Sequence, residues 1–207
     1  MSVMETKSRD GLRQALGERV KRIRRRLGLT LQAAGAQTGL AASTLSKIEN
    51  GQMSPTYENL VRIATGYHIN IEELFAQGTP DIATARYAIT RRGDGRPHST
   101  PEYLYEMLCT SISQKRIIPI FATVKQHEFL GPETLGKHEG EEVVYVLSGK
   151  VAVHFEHYEP IVLDEGDCAY FDSTMGHSLI SAGEADAKIF WVCTHIKQDE
   201  QENLSKD

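Results

Sequence analysis

The sequence has few cysteines and no long hydrophobic run. Its three cysteines are far apart and odd in number, so they predict neither a disulfide framework nor a paired metal motif. We interpret Cys109, Cys168 and Cys193 as small buried residues in a reducing compartment. No stretch reaches the roughly eighteen apolar residues of a membrane span, and residues 1–13 carry charges where a signal peptide would be apolar. We therefore expect a cytoplasmic protein without a membrane partner, and 207 residues suffice for two domains.

Acidic residues are scarce in the first third of the chain. Residues 1–75 contain eleven Lys or Arg and seven Asp or Glu, a net charge of +4, whereas residues 76–207 contain twelve and twenty-one, a net charge of −9. Six basic residues fall within eight positions, namely Arg19, Lys21, Arg22, Arg24, Arg25 and Arg26. Such a run is often only a solvated helix face, but it makes the basic part the candidate for binding a polyanion.

Short helices are predicted between residues 16 and 76. Apolar residues recur there at helical spacing in pieces separated by glycines or by the Ser54-Pro55 step. Thr30 and Thr56 are suitable N-caps, and Gly51 suits a left-handed C-terminal stop. The predicted elements are a flexible segment over 1–15 and five helices: 16–27, from Thr30 to about Gly39, 42–50, one after Thr56, and a short one at 71–75.

This segment resembles the helix-turn-helix domain of the Xre family, which is related to the phage repressors. The resemblance lies in the string from Ser43 to Gly51 and the following Ser-Pro step, and it implies that the third helix enters the major groove of operator DNA. By this resemblance, the positions near bases are Ala42, Ser43, Thr44 and Lys47. Asn50 would lie near a phosphate. Arg25 and Arg26 of the first helix would attract phosphates. Arg24 and Glu49 match a buried ion pair of these repressors, so Arg24 is interpreted as structural.

Two departures from this family pattern predict a marginally stable helical domain. Ala41 stands where a Ser or Thr usually caps the third helix, at a cost of about 1 kcal/mol. Ala34 and Gly35 replace a larger pair in the second helix, which removes core volume and adds backbone entropy. A helical domain retained only for packing or dimerisation remains an alternative to DNA binding.

A linker and an all-β region follow. Residues 77–100 are rich in turn residues and contain a strand-like piece at 86–90. Beyond them the hydrophobic period changes to two, and we predict a sandwich or small barrel over 101–197, followed by a polar tail at 198–207. The predicted strands are 102–110, 117–124, 143–147, 150–154, 161–163, 168–171, 178–181 and 189–194.

Two strings in this region, residues 136–149 and 166–177, resemble the paired motifs of the cupin family. The resemblance implies a jelly-roll barrel, a double-stranded β-helix, so the overall class is α+β with two domains. Cupins bind a metal through two histidines and a glutamate of the first motif and one histidine of the second. By this resemblance, His138, Glu142 and His177 match three of the four ligands. Gly136 stands in place of the first histidine.

The remaining set of two imidazoles and one carboxylate is the set that holds ferrous iron in facial geometry. Residues 138 and 142 would share a face if they lay on one extended strand. One divalent metal, such as Fe, Zn, Mn or Ni, is one interpretation. The other is that the metal was lost with the histidine, which leaves a plain pocket for an organic effector; Tyr103 and Tyr105 share a strand face and could line that pocket.

The order of an Xre-like domain and a cupin barrel resembles that of bacterial regulators in which the barrel senses a small molecule. We predict a DNA-binding regulator without enzymatic activity, acting as a homodimer or higher oligomer, because operator binding by this domain type needs two recognition helices. The alternative is an iron oxygenase similar to hydroxypropylphosphonate epoxidase, whose triad and tyrosine match His138, Glu142, His177 and Tyr105. Its functional lysine aligns with Gly28 and its polar asparagine with Leu135, which argues against that reaction.

Overall fold

The computed structural model describes residues 3–75, 87–112 and 115–194. It divides into two compact units, a helical unit from the described residues of 1–100 and 109–113, and a β unit from those of 101–108 and 114–207. The predicted tail at 198–207 and most of the predicted linker at 77–86 lie outside the described residues. Among the described helices, none combines the length and the apolar character that a membrane crossing requires.

The helical unit has four α-helices rather than the predicted five. They are α1 (Val3–Arg26), α2 (Leu31–Thr38), α3 (Ala42–Glu49) and α4 (Tyr57–Gly66). The expected fifth helix is a single 3-10 turn, Ile71–Leu74, in which the Glu73 amide donates to the Asn70 carbonyl three residues back. Four residues allow one tight turn but not an α-helix.

Helix α1 begins well before the predicted start at residue 16. The segment expected to be flexible, 1–15, is helical from Val3 onwards. Residues 10–15 of this helix are exposed or half-buried, whereas Leu16, Val20 and Ile23 are buried in the core. Because no side chain of residues 10–15 is buried, hydrophobic periodicity could not reveal this part of the helix.

The helix ends follow the predicted signals. The hydroxyls of Thr30 and Thr56 accept hydrogen bonds from the amides of Ala33 and Asn59, and Gly51 has a φ of 66°. Ala41 caps α3 without a side-chain hydrogen bond, as expected.

The interpretation of Gly35 as a loss of packing was wrong. A Cβ at this position would lie 2.8 Å from the Leu40 carbonyl oxygen, closer than carbon and oxygen normally approach. Gly35 therefore permits the tight turn between α2 and α3, which sets the position of α3.

The first strand lies later than predicted. Arg86 is outside the described residues, and residues 87–90 form no strand. Tyr87 and Ile89 are 77% and 63% exposed, so their apolar alternation has no packing partner. Strand β1 (Arg96–Ser99) belongs instead to the helical unit, where the buried His98 contacts Phe75 at a ring distance of 6.0 Å.

The β unit contains all eight predicted strands within a few residues of their expected bounds. One antiparallel sheet has the order β2-β3-β9-β4-β7, and a smaller sheet has the order β6-β5-β8. The strands are β2 (Tyr103–Met107), β3 (Ile117–Val124), β4 (Glu141–Ser148), β5 (Val151–Phe155), β6 (Ile161–Leu163), β7 (Cys168–Asp172), β8 (His177–Ser181) and β9 (Ala187–Thr194). Their alternate residues are buried between the sheets, including Ile120, Val144, Val153 and Trp191.

Candidate nucleic-acid interface and candidate metal centre

Helix α3 presents a polar outer surface. Ser43, Lys47 and Asn50 are exposed, and their spacing of four and three residues places them on one helix face. Ala42 and Thr44, also predicted to lie near bases, are half-buried. Asn50 is oriented locally, because its amide donates to the Ser46 hydroxyl at 3.4 Å and its carbonyl oxygen accepts from Lys21 at 3.5 Å. Leu45 and Ile48 are buried on the opposite face.

The arginines of α1 differ in what their guanidinium groups contact. Arg25 is exposed. Arg26 is also exposed, but one of its nitrogens lies 3.7 Å from a carboxylate oxygen of Glu73. Arg19 is buried and donates to the Glu73 carbonyl at 2.9 Å. Of these three arginines, Arg25 is therefore the one best suited to a phosphate contact.

Arg24 and Glu49 form the buried ion pair that the family resemblance implied. The guanidinium donates to both carboxylate oxygens, at 2.6 and 2.9 Å, and to the Leu29 carbonyl at 2.6 Å. The hydrogen bonds to Glu49 raise the pKa of Arg24. This pair joins the end of α1 to the end of α3 and is structural.

In the β unit, His138, Glu142 and His177 converge. Their candidate ligand atoms all lie within 4.8 Å of one another. The side chains of His138 and His177 are 3% and 2% exposed, and that of Glu142 is fully buried. His138 Nε2 lies 2.7 Å from Glu142 Oε1, and His177 Nε2 lies 3.5 Å from Glu142 Oε2.

His138 and Glu142 are brought together by a bend in the chain and not, as we predicted, by a shared strand face. We expected residues 138 and 142 to share the face of one strand, but β4 begins at Glu141 and His138 precedes it. Gly140, with a φ of 117°, bends the chain between them. The backbone amide of His138 donates to the Ser173 carbonyl, which fixes the preceding segment beside the second motif.

Both imidazoles are oriented by backbone carbonyls. His138 Nδ1 lies 3.1 Å from the Glu139 oxygen, and His177 Nδ1 lies 2.9 Å from the Met175 oxygen. A carbonyl oxygen can only accept a hydrogen bond, so Nδ1 of each imidazole carries the hydrogen. If the ring is neutral, its lone pair is then on Nε2. Two such lone pairs that face a carboxylate repel it unless a proton or a metal cation lies between them. The donor set and its carbonyl partners could hold a divalent metal ion.

Glu142 has two further partners, which the sequence reasoning missed. The Trp191 indole Nε1 donates to Oε2 at 2.7 Å, and the Cys193 thiol lies 3.7 Å from Oε1. Burial alternates along β9 and turns both residues inward, but residues 189–193 are all apolar, so the sequence carries no alternation that could have shown it. Their contact with Glu142 follows from the pairing register of β4 and β9, which the sequence does not specify.

The aromatic residues of β2 adjoin this site through Trp191. Tyr103 and Tyr105 stack with ring centroids 5.2 Å apart and lie 5.9 and 6.2 Å from the Trp191 ring. Tyr105 is 2% exposed, and the Tyr103 hydroxyl donates to the Leu179 carbonyl. Their predicted role in an effector pocket stays a prediction.

The interpretation of all three cysteines as buried was wrong. Cys193 is buried, Cys109 is half-buried and Cys168 is exposed on β7. Cys168 lies on the outer face of its strand, which points away from the core, and strand periodicity without a known register could not decide this.

Comparisons with known proteins agree with the two-unit fold. A Helix-turn-helix family model matches residues 20–74, and a Cupin domain model matches residues 121–193. The chain is 25% identical over 139 residues to the HTH-type transcriptional regulator PuuR of Escherichia coli (strain K12), which covers 67% of this chain and 73% of that protein.

Two solved structures are similar to this chain to different degrees. An HTH_3 family transcriptional regulator from Vibrio cholerae superposes with a TM-score of 0.64 at 20% identity, over 90% of this chain and 98% of that one. Hydroxypropylphosphonic acid epoxidase from S. wedmorenis matches with a TM-score of 0.42 at 17% identity, over 88% and 98% of the two chains. The first match supports the fold, and the second is too loose to support an argument about activity.

Proposed function

We propose that the chain is a helix-turn-helix transcriptional regulator with a cupin domain, in which α3 reads an operator while the cupin domain binds a divalent metal and a small effector. The observation that supports the first part is the exposed face of α3, where Ser43, Lys47 and Asn50 project together. Short polar side chains and one lysine can reach base edges in the major groove.

Substitutions on α3 and α1 separate base recognition from phosphate attraction. Lys47→Ala should weaken operator binding by about 1–3 kcal/mol and relax base preference at one position, whereas Arg25→Ala should weaken binding to all sequences and reduce its salt dependence. Fluorescence anisotropy with DNA from upstream of this gene and with random DNA measures both effects. Lys150→Ala, at an exposed lysine of the turn between β4 and β5, is the matched control and should change neither.

If Lys47→Ala weakens operator and random DNA equally, the assignment of α3 as the recognition helix is wrong. If the unmodified protein shows no salt-dependent binding to its upstream DNA, the proposal of DNA binding fails.

We propose a homodimer that forms through the outer face of the larger sheet. Two recognition helices are needed for a symmetric operator, and this face exposes large apolar side chains on three adjacent strands: Tyr145 and Leu147 of β4, Tyr170 of β7 and Phe190 of β9. Tyr145 is the cross-strand neighbour of Phe190, so the apolar surface is continuous. A self-associating face of this kind is favoured by the burial of apolar area.

Sedimentation analysis tests this dimer. Tyr145→Glu should yield a monomer with weaker operator binding, whereas Tyr158→Glu, at a more exposed tyrosine outside the three strands, should remain a dimer. A dimer that persists in Tyr145→Glu contradicts the assignment of this face.

His138, Glu142 and His177 would hold the proposed metal. When bound, a divalent cation supplies a Lewis acid with open positions for oxygen or nitrogen atoms of an effector. The residues of this chain orient the donors and exclude water, since all three side chains are almost wholly buried. Metal and effector can change operator affinity only through different affinities for two states of the protein.

Elemental analysis of protein purified without chelator tests the metal. We expect a stoichiometric divalent metal, and its removal and restoration should change operator affinity in the anisotropy assay. Absence of metal, together with unchanged DNA binding when metal is added, would contradict this part of the proposal and favour a plain organic pocket.

The enzymatic alternative depends on the same three side chains, because two imidazoles and one carboxylate also serve iron oxygenases. Iron-dependent oxygen consumption with a hydroxyalkylphosphonate, in a preparation that binds none of the DNA fragments tested, would favour that alternative over the regulator.

A further inference from the structure

We propose that Trp191 and Cys193 are positioning residues that hold the Glu142 carboxylate in place for a metal ion. This inference rests on the proposed metal site and adds two residues to it. Neither residue belongs to the group of candidate ligands, and both contact Glu142 from strand β9.

The pairing of β4 with β9 creates this arrangement. Glu142 is the register partner of Cys193, and Val144 is that of Trp191. The indole nitrogen donates to Oε2 at 2.7 Å, and the thiol approaches Oε1 at 3.7 Å. Each carboxylate oxygen therefore faces one group of β9 and one imidazole nitrogen, His138 at Oε1 and His177 at Oε2.

The indole is itself held in place. Trp191 is 1% exposed and packs against the rings of Tyr103 and Tyr105. A buried indole N–H needs an acceptor, and here the acceptor is the proposed metal ligand. Because a packed ring cannot swing aside, its hydrogen bond restricts rotation of the carboxylate.

A carboxylate that is already oriented loses less freedom when it binds a metal. Groups that hydrogen-bond to ligands typically contribute 10–100-fold to metal affinity. The competing explanation is that Trp191 only fills the core, in which case the indole nitrogen is dispensable and a ring of similar shape would serve equally well.

Cobalt titration of the full metal-free chain distinguishes these explanations. Trp191→Phe keeps an aromatic ring against the tyrosines but removes the donor, so we expect Co²⁺ affinity to fall about 10–100-fold and the Co²⁺ absorption bands to change. Ile189→Val is the control, a core truncation on the same strand that is expected to lower Tm while Co²⁺ affinity and the bands stay unchanged.

A second pair of variants tests the thiol and covers the case in which Trp191→Phe does not fold. Cys193→Ala removes the weak donor and should reduce Co²⁺ affinity a few-fold, whereas Cys193→Ser keeps a donor and should retain it. If the unmodified protein binds no Co²⁺, the proposed metal site is wrong and this inference fails with it. If it binds Co²⁺ and neither Trp191→Phe nor Cys193→Ala changes affinity or spectrum, the metal site stands and the positioning role is overturned.

Discussion

Among the described residues, the helical unit and the β unit each bury one glutamate, and the two carboxylates have different partners. Glu49 is 2% exposed at its side chain and receives two hydrogen bonds from the guanidinium of Arg24. Glu142 is fully buried and faces two imidazole nitrogens, an indole and a thiol. The carboxylate of Glu49 has a permanent cation beside it. No Lys or Arg side chain of the described residues forms a hydrogen bond or an ion pair with Glu142.

This difference separates a structural pair from a candidate binding site. A buried charge is tolerated when it is paired and hydrogen-bonded. The Arg24–Glu49 pair meets that condition by itself and stabilises the end of α3. The carboxylate of Glu142 meets it only if the imidazoles are protonated or a metal cation is bound, so its environment is suited to an incoming cation.

The largest effect is expected from breaking the permanent pair. Arg24→Met leaves Glu49 buried without its cation, and the free energy of unfolding should fall by about 3–5 kcal/mol. Chemical denaturation measures this loss. The double variant with Glu49→Met should recover most of it, and a single variant that loses less than about 1 kcal/mol would contradict the structural role of the pair.

Removing the charge of Glu142 should have the opposite effect on the metal-free protein. Glu142→Gln abolishes a buried charge without a permanent counter-ion, so metal-free stability should be unchanged or higher. The stabilisation by metal should disappear, a loss of about 2.7 kcal/mol at a metal concentration of 100 times Kd. Thermal denaturation with and without Zn²⁺ measures both changes, and a Zn²⁺-induced rise in Tm that survives in this variant would contradict the site.

Restoring the missing histidine should strengthen the site. Gly136 forms an isolated antiparallel bridge with His177, with N···O distances of 3.0 and 2.9 Å, so side chains at the two positions would share a face. Gly136→His should lower the Kd for Zn²⁺ about tenfold, or about 1.4 kcal/mol. Competition with a chelator measures the Kd, and Gly136→Ala is the control; equal affinities of the two variants would contradict this geometry.

The smallest effect concerns His98 and pH. Burial lowers the pKa of His98, and its Nε2 lies 2.7 Å from the Pro55 carbonyl. The unfolded state therefore binds a proton more readily than the folded state, so this contribution to stability is present above about pH 6.5 and is lost as pH falls below that value. His98→Gln should reduce the difference in Tm between pH 8 and pH 5.5 relative to the unmodified protein.

His127→Gln, at an exposed histidine paired with Asp186, is the control for this pH effect. If the Tm of His98→Gln depends on pH as steeply as that of the unmodified chain, another group causes the loss of stability in acid.

Much of the local structure follows from local residues. Capping threonines, Gly51 and the alternation of apolar residues predicted the bounds of α2, α3 and most strands, because these signals act between neighbours along the chain. Residues 10–15 of α1 were missed because they bury no side chain, and the strand expected near Tyr87 does not form, since the apolar side chains of Tyr87 and Ile89 are left exposed. Gly35 was misinterpreted because the close approach of Leu40 is visible only in three dimensions.

The candidate site was predicted in part. Motif spacing identified His138, Glu142 and His177 through the cupin resemblance, although the bend at Gly140, not a shared strand face, brings the first two together. Trp191 and Cys193 were missed because they lie about fifty residues further along the chain and meet Glu142 only through strand register.

The amino-acid sequence by itself determined the two-domain order, the charge difference between the halves and the types of donor available for a metal, because composition and periodicity are local properties. Only the tertiary structure decided which exposed side chains share the outer face of α3 and which groups surround Glu142. Those arrangements depend on long-range pairing between strands and on backbone bends, and a shift of one residue in register would turn Trp191 and Cys193 away from the carboxylate.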